Sequence, residues 1–202
     1  MTNIYLASRS PRRRELLKQV AVTFEIVLLR EDLKRGADVD ESPLANEQPD
    51  VYALRVACAK AELAARYMGR RSLPGRPVLA ADTTVVCERR IIGKPADRED
   101  AVRILTSLAG RQHEVITAVA LATPDRLEKA VSVSRVWFRP LGEDEIRRYV
   151  ATGEPLDKAG AYAVQGRAAA FITRIEGSFS GIMGLPLAET AELLRKFGID
   201  IL

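Results

Sequence analysis

The sequence is poor in aromatic residues, and no uninterrupted apolar run in it approaches the length of a membrane-spanning helix. Phe, Trp and Tyr make up 5% of the 202 residues, so Leu, Val, Ile and Ala must fill the core. The first eight residues have no basic start and no long apolar stretch, which argues against a secretory signal there. We therefore expect a protein that has no membrane partner.

Cysteine and histidine are also scarce. Cys58 and Cys87 offer neither a disulfide framework nor a metal knuckle, so a reducing cytoplasm is the expected location. His113, the single histidine, precedes a strand-like segment, and we interpret it as structural. There is no Gly-x-Ser-x-Gly turn, no ATPase phosphate loop and no dinucleotide glycine pattern. Serine-triad, classical ATPase and dinucleotide-binding functions are therefore disfavoured.

Positive charge is in slight excess, with 31 Lys and Arg against 27 Asp and Glu. Such an excess suits either nucleic acid or a small polyanionic ligand. Basic and acidic residues are mixed nearly everywhere, and the one dense basic cluster is Arg9, Arg12, Arg13 and Arg14. We therefore expect a local anion site and no nucleic-acid partner.

Hydrophobic periodicity predicts helices that alternate with strands. The predicted strands cover 4–7, 22–28, 78–86, 91–92, 115–122, 130–138 and 168–175. One helix is predicted to start at Ser10-Pro11, and four others are predicted over 49–69, 98–109, 143–151 and 187–197. Loops are predicted over 30–48 and 155–166. This order predicts an α/β fold, a mixed sheet flanked by helices, in a single domain over 1–202.

The segment from Ser8 to Arg13 is the first candidate site, because a strand ends and a helix begins there. Helix N-terminal N–H groups and the helix dipole favour an anion, and Arg12 and Arg13 carry forked donors that suit phosphate. The alternative is an ordinary helix, capped by Ser10 and with a solvated basic first turn. Three arginines at a helix N-terminus oppose its dipole, which favours the phosphate interpretation.

Two charged residues interrupt apolar patterns. Lys60 is centred on the apolar face of the helix over 49–69, and Asp82 lies inside the apolar run 77–86. Buried charges need a partner, a metal or a polar cavity. Lys60 could instead extend its ammonium to water, and Asp82 could sit at a bulge or strand end. We favour a shared site for both residues.

Two loops add weaker candidates. The acidic run that contains Asp40 and Glu41 is more often solvated, but together with Asp82 it could supply oxygen ligands to Mg²⁺. Lys94 lies between Gly93 and Pro95, so a defined turn could direct it at a phosphate. Alone, this tripeptide would be an ordinary surface loop.

In order along the chain, these segments resemble the Maf family of nucleoside triphosphate pyrophosphatases. The matching stretches are 6–17, 40–41, 59–61, 81–86, 93–95, 108–113, 149–150, 154–162, 165–166, 177–179 and 184–187. The resemblance implies a fold like that of the inosine triphosphate pyrophosphatases, with an elongated sheet and two lobes around a central cleft. It also implies a homodimer and hydrolysis between the α and β phosphates with a divalent cation, Mg²⁺ or Mn²⁺.

The resemblance also implies site residues. Substrate phosphates would be bound by Ser8, Arg12, Arg13, Lys60 and Lys94. The metal would be held by Glu41 and Asp82, and Asp82 would be the catalytic proton acceptor. Residues 28–48 are longer than in some relatives, but the 19-residue spacing from Glu41 to Lys60 supports Glu41.

Substrate choice divides this family. The stretch 157–162 followed by Gln165-Gly166 is similar to the branch that acts on dTTP and UTP, and Arg12, Thr83 and Gln165 fit its specificity pattern. Two alternatives stay open: a 7-methyl-GTP-type pyrophosphatase, and a regulator that binds nucleotide or nucleic acid without catalysis. Nucleotide-pool cleaning and control of cell division are both compatible with the sequence.

Overall fold

The computed structural model describes residues 4–30, 38–70 and 75–201. In this part of the chain seven strands form one mixed sheet in the order β2-β1-β3-β5-β6-β7, and β4 pairs with β3. The strands are β1 (Ile4–Leu6), β2 (Phe24–Ile26), β3 (Val78–Cys87), β4 (Arg90–Ile92), β5 (Gln112–Thr123), β6 (Arg126–Phe138) and β7 (Ile172–Glu176). The helices are α1 (Pro11–Gln19), α2 (Pro49–Arg70), α3 (Arg98–Leu108), α4 (Glu143–Ala151), α5 (Phe179–Met183) and α6 (Leu187–Lys196). The predicted mixed α/β fold is therefore confirmed.

The strand β3 is the buried run that the sequence predicted. Its register pairs Val78 with Tyr5 and Leu79 with Leu6, so β1 and β3 run parallel. A two-residue turn then leads into β4, and both of its residues, Glu88 and Arg89, have positive φ angles, 50° and 65°. Such φ values suit the tight turn of a twisted hairpin. The predicted hairpin around 88–92 is confirmed.

The helix α2 packs through a stripe of small and β-branched residues, as its periodicity predicted. The residues of this stripe that are fully buried are Ala53, Val56, Ala57, Ala61 and Ala64. Helical neighbours at spacings of three and four lie on one face, so Lys60 lies beside this stripe. The apolar face therefore places the Lys60 side chain against the protein interior.

Some predicted elements differ from the observed ones. β2 is only three residues long because its partner β1 is equally short. In the segment predicted as a strand over 168–175, a 3-10 turn covers Arg167–Phe171 before β7 begins. Buried Ala168 and Phe171 are three residues apart, which matches the repeat of a 3-10 helix. The short helix α5 was not predicted.

The predicted loop over 30–48 includes residues 31–37, which lie outside the described residues. Residues 38–48 contain no helix or strand, as predicted. No described helix combines the length and apolarity that a membrane crossing would need.

The chain folds as two compact units. The first unit comprises Met1–Asp82, Thr117–Ser132 and Gly184–Leu202. The second unit comprises Thr83–Ile116 and Val133–Met183. The single-domain prediction for 1–202 and the predicted central cleft are not decided by this division.

An aromatic cluster forms the core of the second unit. His113 is 2% exposed, and its ring meets Phe138 and Tyr162 edge to face, at centroid distances of 4.9 and 5.4 Å. Its Nε2 atom lies 2.9 Å from the Tyr162 hydroxyl. Burial lowers the pKa of His113 from 6.5 to about 4, so the ring is neutral at pH 7. These contacts agree with the structural role predicted for His113.

We expect the buried His113 to make the protein less stable in mild acid. The pKa of His113 is about 4 in the folded protein, and its ordinary value, which applies to the unfolded chain, is 6.5. Between these two pH values the unfolded chain therefore binds one proton more than the folded protein. As the pH is lowered, the free energy of unfolding should then decrease by up to about 1.4 kcal/mol per pH unit, the slope that corresponds to one proton. Denaturant unfolding of the wild type and His113→Gln, measured from pH 7 to 4.5, tests this.

The variant should lose most of this slope, because glutamine does not titrate. Carboxylates with lowered pKa values act in a different range: Glu47, whose pKa is lowered from 4.5 to about 2, loses its contribution only as pH falls below 4.5. Equal slopes for the two proteins above pH 4.5 would contradict the assignment.

Candidate functional site

The turn between β1 and α1 forms one wall of the candidate site. Ser10 is the N-cap of α1, with Pro11 at the first helical position, as predicted. The Ser8 hydroxyl oxygen accepts hydrogen bonds from Ser10 N and Arg13 Nη1, both at 3.2 Å. Both lone pairs are therefore used, which leaves the hydroxyl hydrogen as the remaining hydrogen-bonding capacity of the group. Ser8 is thus ready to donate to an incoming anion.

Arg13 is held at two points. Its Nε donates to the carbonyl oxygen of Gly184 at 2.6 Å, and its Nη1 donates to Ser8. These contacts fix the plane of the guanidinium at the start of α1, where the first turn contains no acidic residue. Arg12 is half-buried on the same turn. The helix dipole and the arginines therefore concentrate positive potential at this position.

Arg9 and Arg14 of the basic cluster donate hydrogen bonds to backbone carbonyls. Arg9 Nη2 donates to the carbonyl of Leu29 at 3.0 Å, and Arg14 Nη2 donates to the carbonyl of Arg9 at 3.3 Å. The bond from Arg9 ties the turn to the segment after β2, and the bond from Arg14 ties the turn to α1. Arg9 and Arg13 both line the pocket beside this turn.

Lys60 lies between two carboxylates. Its Nζ is 2.9 Å from Glu41 Oε2 and 3.0 Å from Asp82 Oδ1. The Lys60 and Asp82 side chains are only 14% and 12% exposed, whereas Glu41 is 41% exposed. A nearly buried ammonium is stabilised by such paired charges. The two charges that interrupted apolar patterns in the sequence are therefore direct partners.

The acidic loop is fastened to α2 by side chains that the sequence did not single out. The Tyr52 hydroxyl donates to the backbone carbonyl of Glu41 at 2.9 Å. Arg55 donates to the carbonyls of Asp40 at 3.2 Å and Ser42 at 2.9 Å. Tyr52 and Arg55 are one helical turn apart, so they share a face of α2. In the sequence, this spacing of an aromatic and a basic residue close to an acidic loop was the pattern that could have identified them.

Further along this loop, Arg55 also forms a two-pronged ion pair with Glu47. The Nε–Oε1 distance is 2.7 Å and the Nη2–Oε2 distance is 2.8 Å. This pair holds the pKa of Glu47 down at about 2. Burial and the charges of Asp82 and Glu41 raise the pKa of Tyr52 to about 12, so its hydroxyl stays protonated as a donor.

One pocket joins these groups. Ser8, Arg13, Glu41 and Lys60 all line it. Asp82 is connected to the same set through its contact with Lys60. The pocket therefore offers hydroxyl, guanidinium and ammonium donors beside a carboxylate pair, which suits a phosphate chain that carries a cation.

The carboxylate pair fits a divalent cation that takes its other ligands from substrate and water. Mg²⁺ is commonly held by one or two carboxylates together with substrate phosphates. Glu41 and Asp82 converge on a single nitrogen, so they already hold a positive charge between them. Within the described ranges no group of three or more His, Cys, Asp or Glu side chains could form a cage made of protein alone.

The structure brings together part of the predicted site. Ser8, Arg13, Glu41, Lys60 and Asp82 are gathered in the first unit, and Arg12 belongs to the same unit. The remaining three predicted residues belong to the second unit: half-buried Thr83, exposed Lys94 and exposed Gln165. That these three act in the same site stays a prediction.

The chain is similar to known proteins over almost its whole length. Residues 3–197 match the family model described as Maf-like protein. A dTTP/UTP pyrophosphatase from Aromatoleum aromaticum is 58% identical over 98% of this chain and 97% of its own length. One from Cupriavidus metallidurans is 54% identical over 98% of this chain and 99% of its own.

The fold also has a solved counterpart. A HAM1 protein from Coxiella burnetii has a TM-score of 0.52 over 97% of this chain and 100% of its own, with 16% identity. At that identity the similarity concerns the fold alone. Because the family model covers nearly the whole chain, this protein belongs to the Maf family.

Proposed function

We propose that this protein hydrolyses dTTP and UTP to the nucleoside monophosphate and pyrophosphate. The names of its relatives, which are more than half identical to it, support this assignment. The observation that carries it is the Lys60 ammonium between Glu41 and Asp82, beside Ser8 and Arg13 in one pocket. Anion donors and a carboxylate pair are the two components that metal-assisted phosphoanhydride hydrolysis needs.

The donors bind and orient the triphosphate. Ser8 donates its hydroxyl hydrogen to a phosphate oxygen, and Arg13 presents a guanidinium whose orientation Gly184 fixes. Lys60 is within reach of the same pocket, and Arg12 and Lys94 complete the proposed set. Charge develops on the phosphate oxygens during the reaction, so these donors stabilise the transition state.

Asp82 acts as the general base. Its carboxylate accepts a proton from a water molecule, whose oxygen attacks the α phosphorus while the bond to the β phosphate breaks. Pyrophosphate leaves, and the monophosphate carries the new oxygen. A Mg²⁺ or Mn²⁺ ion held by Glu41 and Asp82 would supply Lewis-acid stabilisation of the phosphate oxygens.

The pyrimidine preference is assigned to Arg12, Thr83 and Gln165. The Gln165 amide has both a donor and an acceptor, which matches the alternating groups on a thymine or uracil ring. Thr83 follows the proposed base directly in β3, so it is suited to bounding the substrate pocket. We further propose a homodimer located in the cytoplasm.

Pyrophosphate release from a panel of triphosphates tests the proposal. The panel holds dTTP, UTP, dCTP, ATP, GTP and 7-methyl-GTP, each with Mg²⁺ or Mn²⁺, and a chelator control. We expect kcat/KM to be highest for dTTP and UTP and activity to disappear with the chelator. Preference for 7-methyl-GTP would indicate the other branch. Salt-sensitive binding to DNA or RNA without turnover would indicate a regulator.

A further inference from the structure

Gln165 stands on a tight turn of the second unit. The N–H of Gly166 donates to the carbonyl of Ala163 at 3.0 Å, which closes the turn around Val164 and Gln165. Val164 is 4% exposed and anchors the turn inward, whereas Gln165 is exposed. The backbone thus presents the Gln165 amide from a fixed position, and whatever holds the turn also directs that amide.

The Glu154 carboxylate holds this turn to α4. Its Oε1 accepts a hydrogen bond from the Tyr149 hydroxyl at 2.9 Å, and its Oε2 accepts one from the backbone N–H of Arg167 at 3.1 Å. Each oxygen therefore contacts a different element, α4 on one side and the end of the turn on the other. Hydrogen bonds to a charged acceptor are among the stronger kind.

Glu154 is itself well anchored. Its backbone N–H donates to the Thr152 hydroxyl at 3.2 Å, and its carbonyl accepts from Lys158 Nζ at 2.6 Å. Tyr149 is 5% exposed, and its ring meets Phe171 edge to face at 5.1 Å. Burial raises the pKa of Tyr149, so its hydroxyl remains a donor. The carboxylate therefore connects two fixed supports.

Gly166 leaves room for the Glu154 carboxylate, which a side chain at this position would displace. A Cβ atom at this position would lie 2.3 Å from Glu154 Oε1, 2.6 Å from Cδ and 2.7 Å from Oε2. Its φ angle of −103° is open to any residue, so backbone freedom is not the reason for glycine here. The carboxylate instead packs directly against the Gly166 backbone, next to Gln165.

We propose that Glu154 is a positioning residue for substrate selection: it fixes the Gln165 turn and so sets the pyrimidine preference without touching the substrate. This inference rests on the proposed role of Gln165 in recognising the base. The Glu154 carboxylate contacts the turn and α4, so its role is in recognition of the base and not in the chemical step. Its loss should therefore alter selectivity and KM much more than kcat.

The test is Glu154→Gln, compared with wild type on the triphosphate panel. A glutamine side chain can accept from only one of the two donors, so the Arg167 N–H or the Tyr149 hydroxyl loses its acceptor. We expect the preference for dTTP over dCTP to fall about tenfold or more, the cost of one hydrogen bond to a charged group. KM for dTTP should rise while kcat stays within about threefold of wild type, since only uniform binding is lost.

Two matched variants separate this role from simple destabilisation. Tyr149→Phe keeps the ring packing and removes only the donor to Oε1, so it should reduce selectivity in the same direction. Glu145→Gln breaks the ion pair between Glu145 of α4 and Arg139, so it should lower stability and leave selectivity unchanged. Equal selectivity loss in Glu145→Gln would overturn the proposal.

Hydrogen exchange measures the stability of the turn independently of activity. In Glu154→Gln we expect faster hydrogen exchange of the Arg167 amide, the group that Oε2 accepts from. In the double variant Glu154→Gln with Gln165→Ala, selectivity should be little lower than in either single variant, because both changes remove the same contact between the Gln165 amide and the base. Additive losses, or an unchanged Arg167 exchange rate, would overturn the proposal. Unchanged selectivity in Gln165→Ala alone would instead locate the failure in the proposed role of Gln165.

Discussion

Replacing Asp82 with asparagine is expected to lower kcat for dTTP by about 10²–10⁴-fold, the contribution that a positioned general base makes. Asparagine preserves the shape of the side chain but cannot take a proton from water. Nucleotide affinity measured without a divalent cation should stay nearly unchanged, because Lys60 loses one of its two carboxylate partners and remains available to phosphate. Single-turnover kinetics and nucleotide binding, measured separately, test both parts.

The matched control is Asp125→Asn. Asp125 is exposed in the turn between β5 and β6, where asparagine is equally suitable, so this variant should have normal activity and stability. Turnover of Asp82→Asn within a fewfold of wild type would remove Asp82 from the chemical step.

Replacing Lys60 with methionine should have the second large effect. We expect kcat/KM for dTTP to fall about 10²-fold or more, because a preorganised donor to the phosphate oxygens is lost. Glu41 and Asp82 would then face each other without a cation, so the protein alone should bind Mn²⁺ more tightly than wild type does. Calorimetric titration of Mn²⁺ into each protein without nucleotide measures this second effect.

The control for Lys60 is Lys129→Met. Lys129 is exposed on β6 in the same unit, and its replacement should change neither Mn²⁺ affinity nor turnover. Weaker Mn²⁺ binding by Lys60→Met than by wild type would contradict the view that the ammonium and the metal compete for the same carboxylates.

The sequence predicted the elements that carry strong local signals. The serine and proline at the start of α1, the small-residue stripe of α2 and the largely apolar run of β3 each indicated the element that the structure contains. Lys60 and Asp82 were identifiable because a charge inside an apolar pattern needs a partner. Their direct contact in the structure gives the physical reason for both positions.

Other parts of the site depend on contacts between segments far apart in the chain. Arg13 is oriented by the carbonyl of Gly184, 171 residues away, and no local pattern reports such a contact. The position of Glu41 depends on Tyr52 and Arg55, which fasten a loop without regular structure. Gly166 resembles an ordinary turn glycine until the structure places Glu154 against it. Such contacts exist only in the folded protein, so no local sequence pattern predicts them.

The position of bond cleavage tests the central claim most directly. Hydrolysis of dTTP by this protein in water enriched in ¹⁸O, followed by mass spectrometry of both products, shows which phosphorus the water attacks. We predict that the label enters dTMP and that the pyrophosphate is unlabelled. Label in the pyrophosphate, or release of orthophosphate in place of pyrophosphate, would contradict the account.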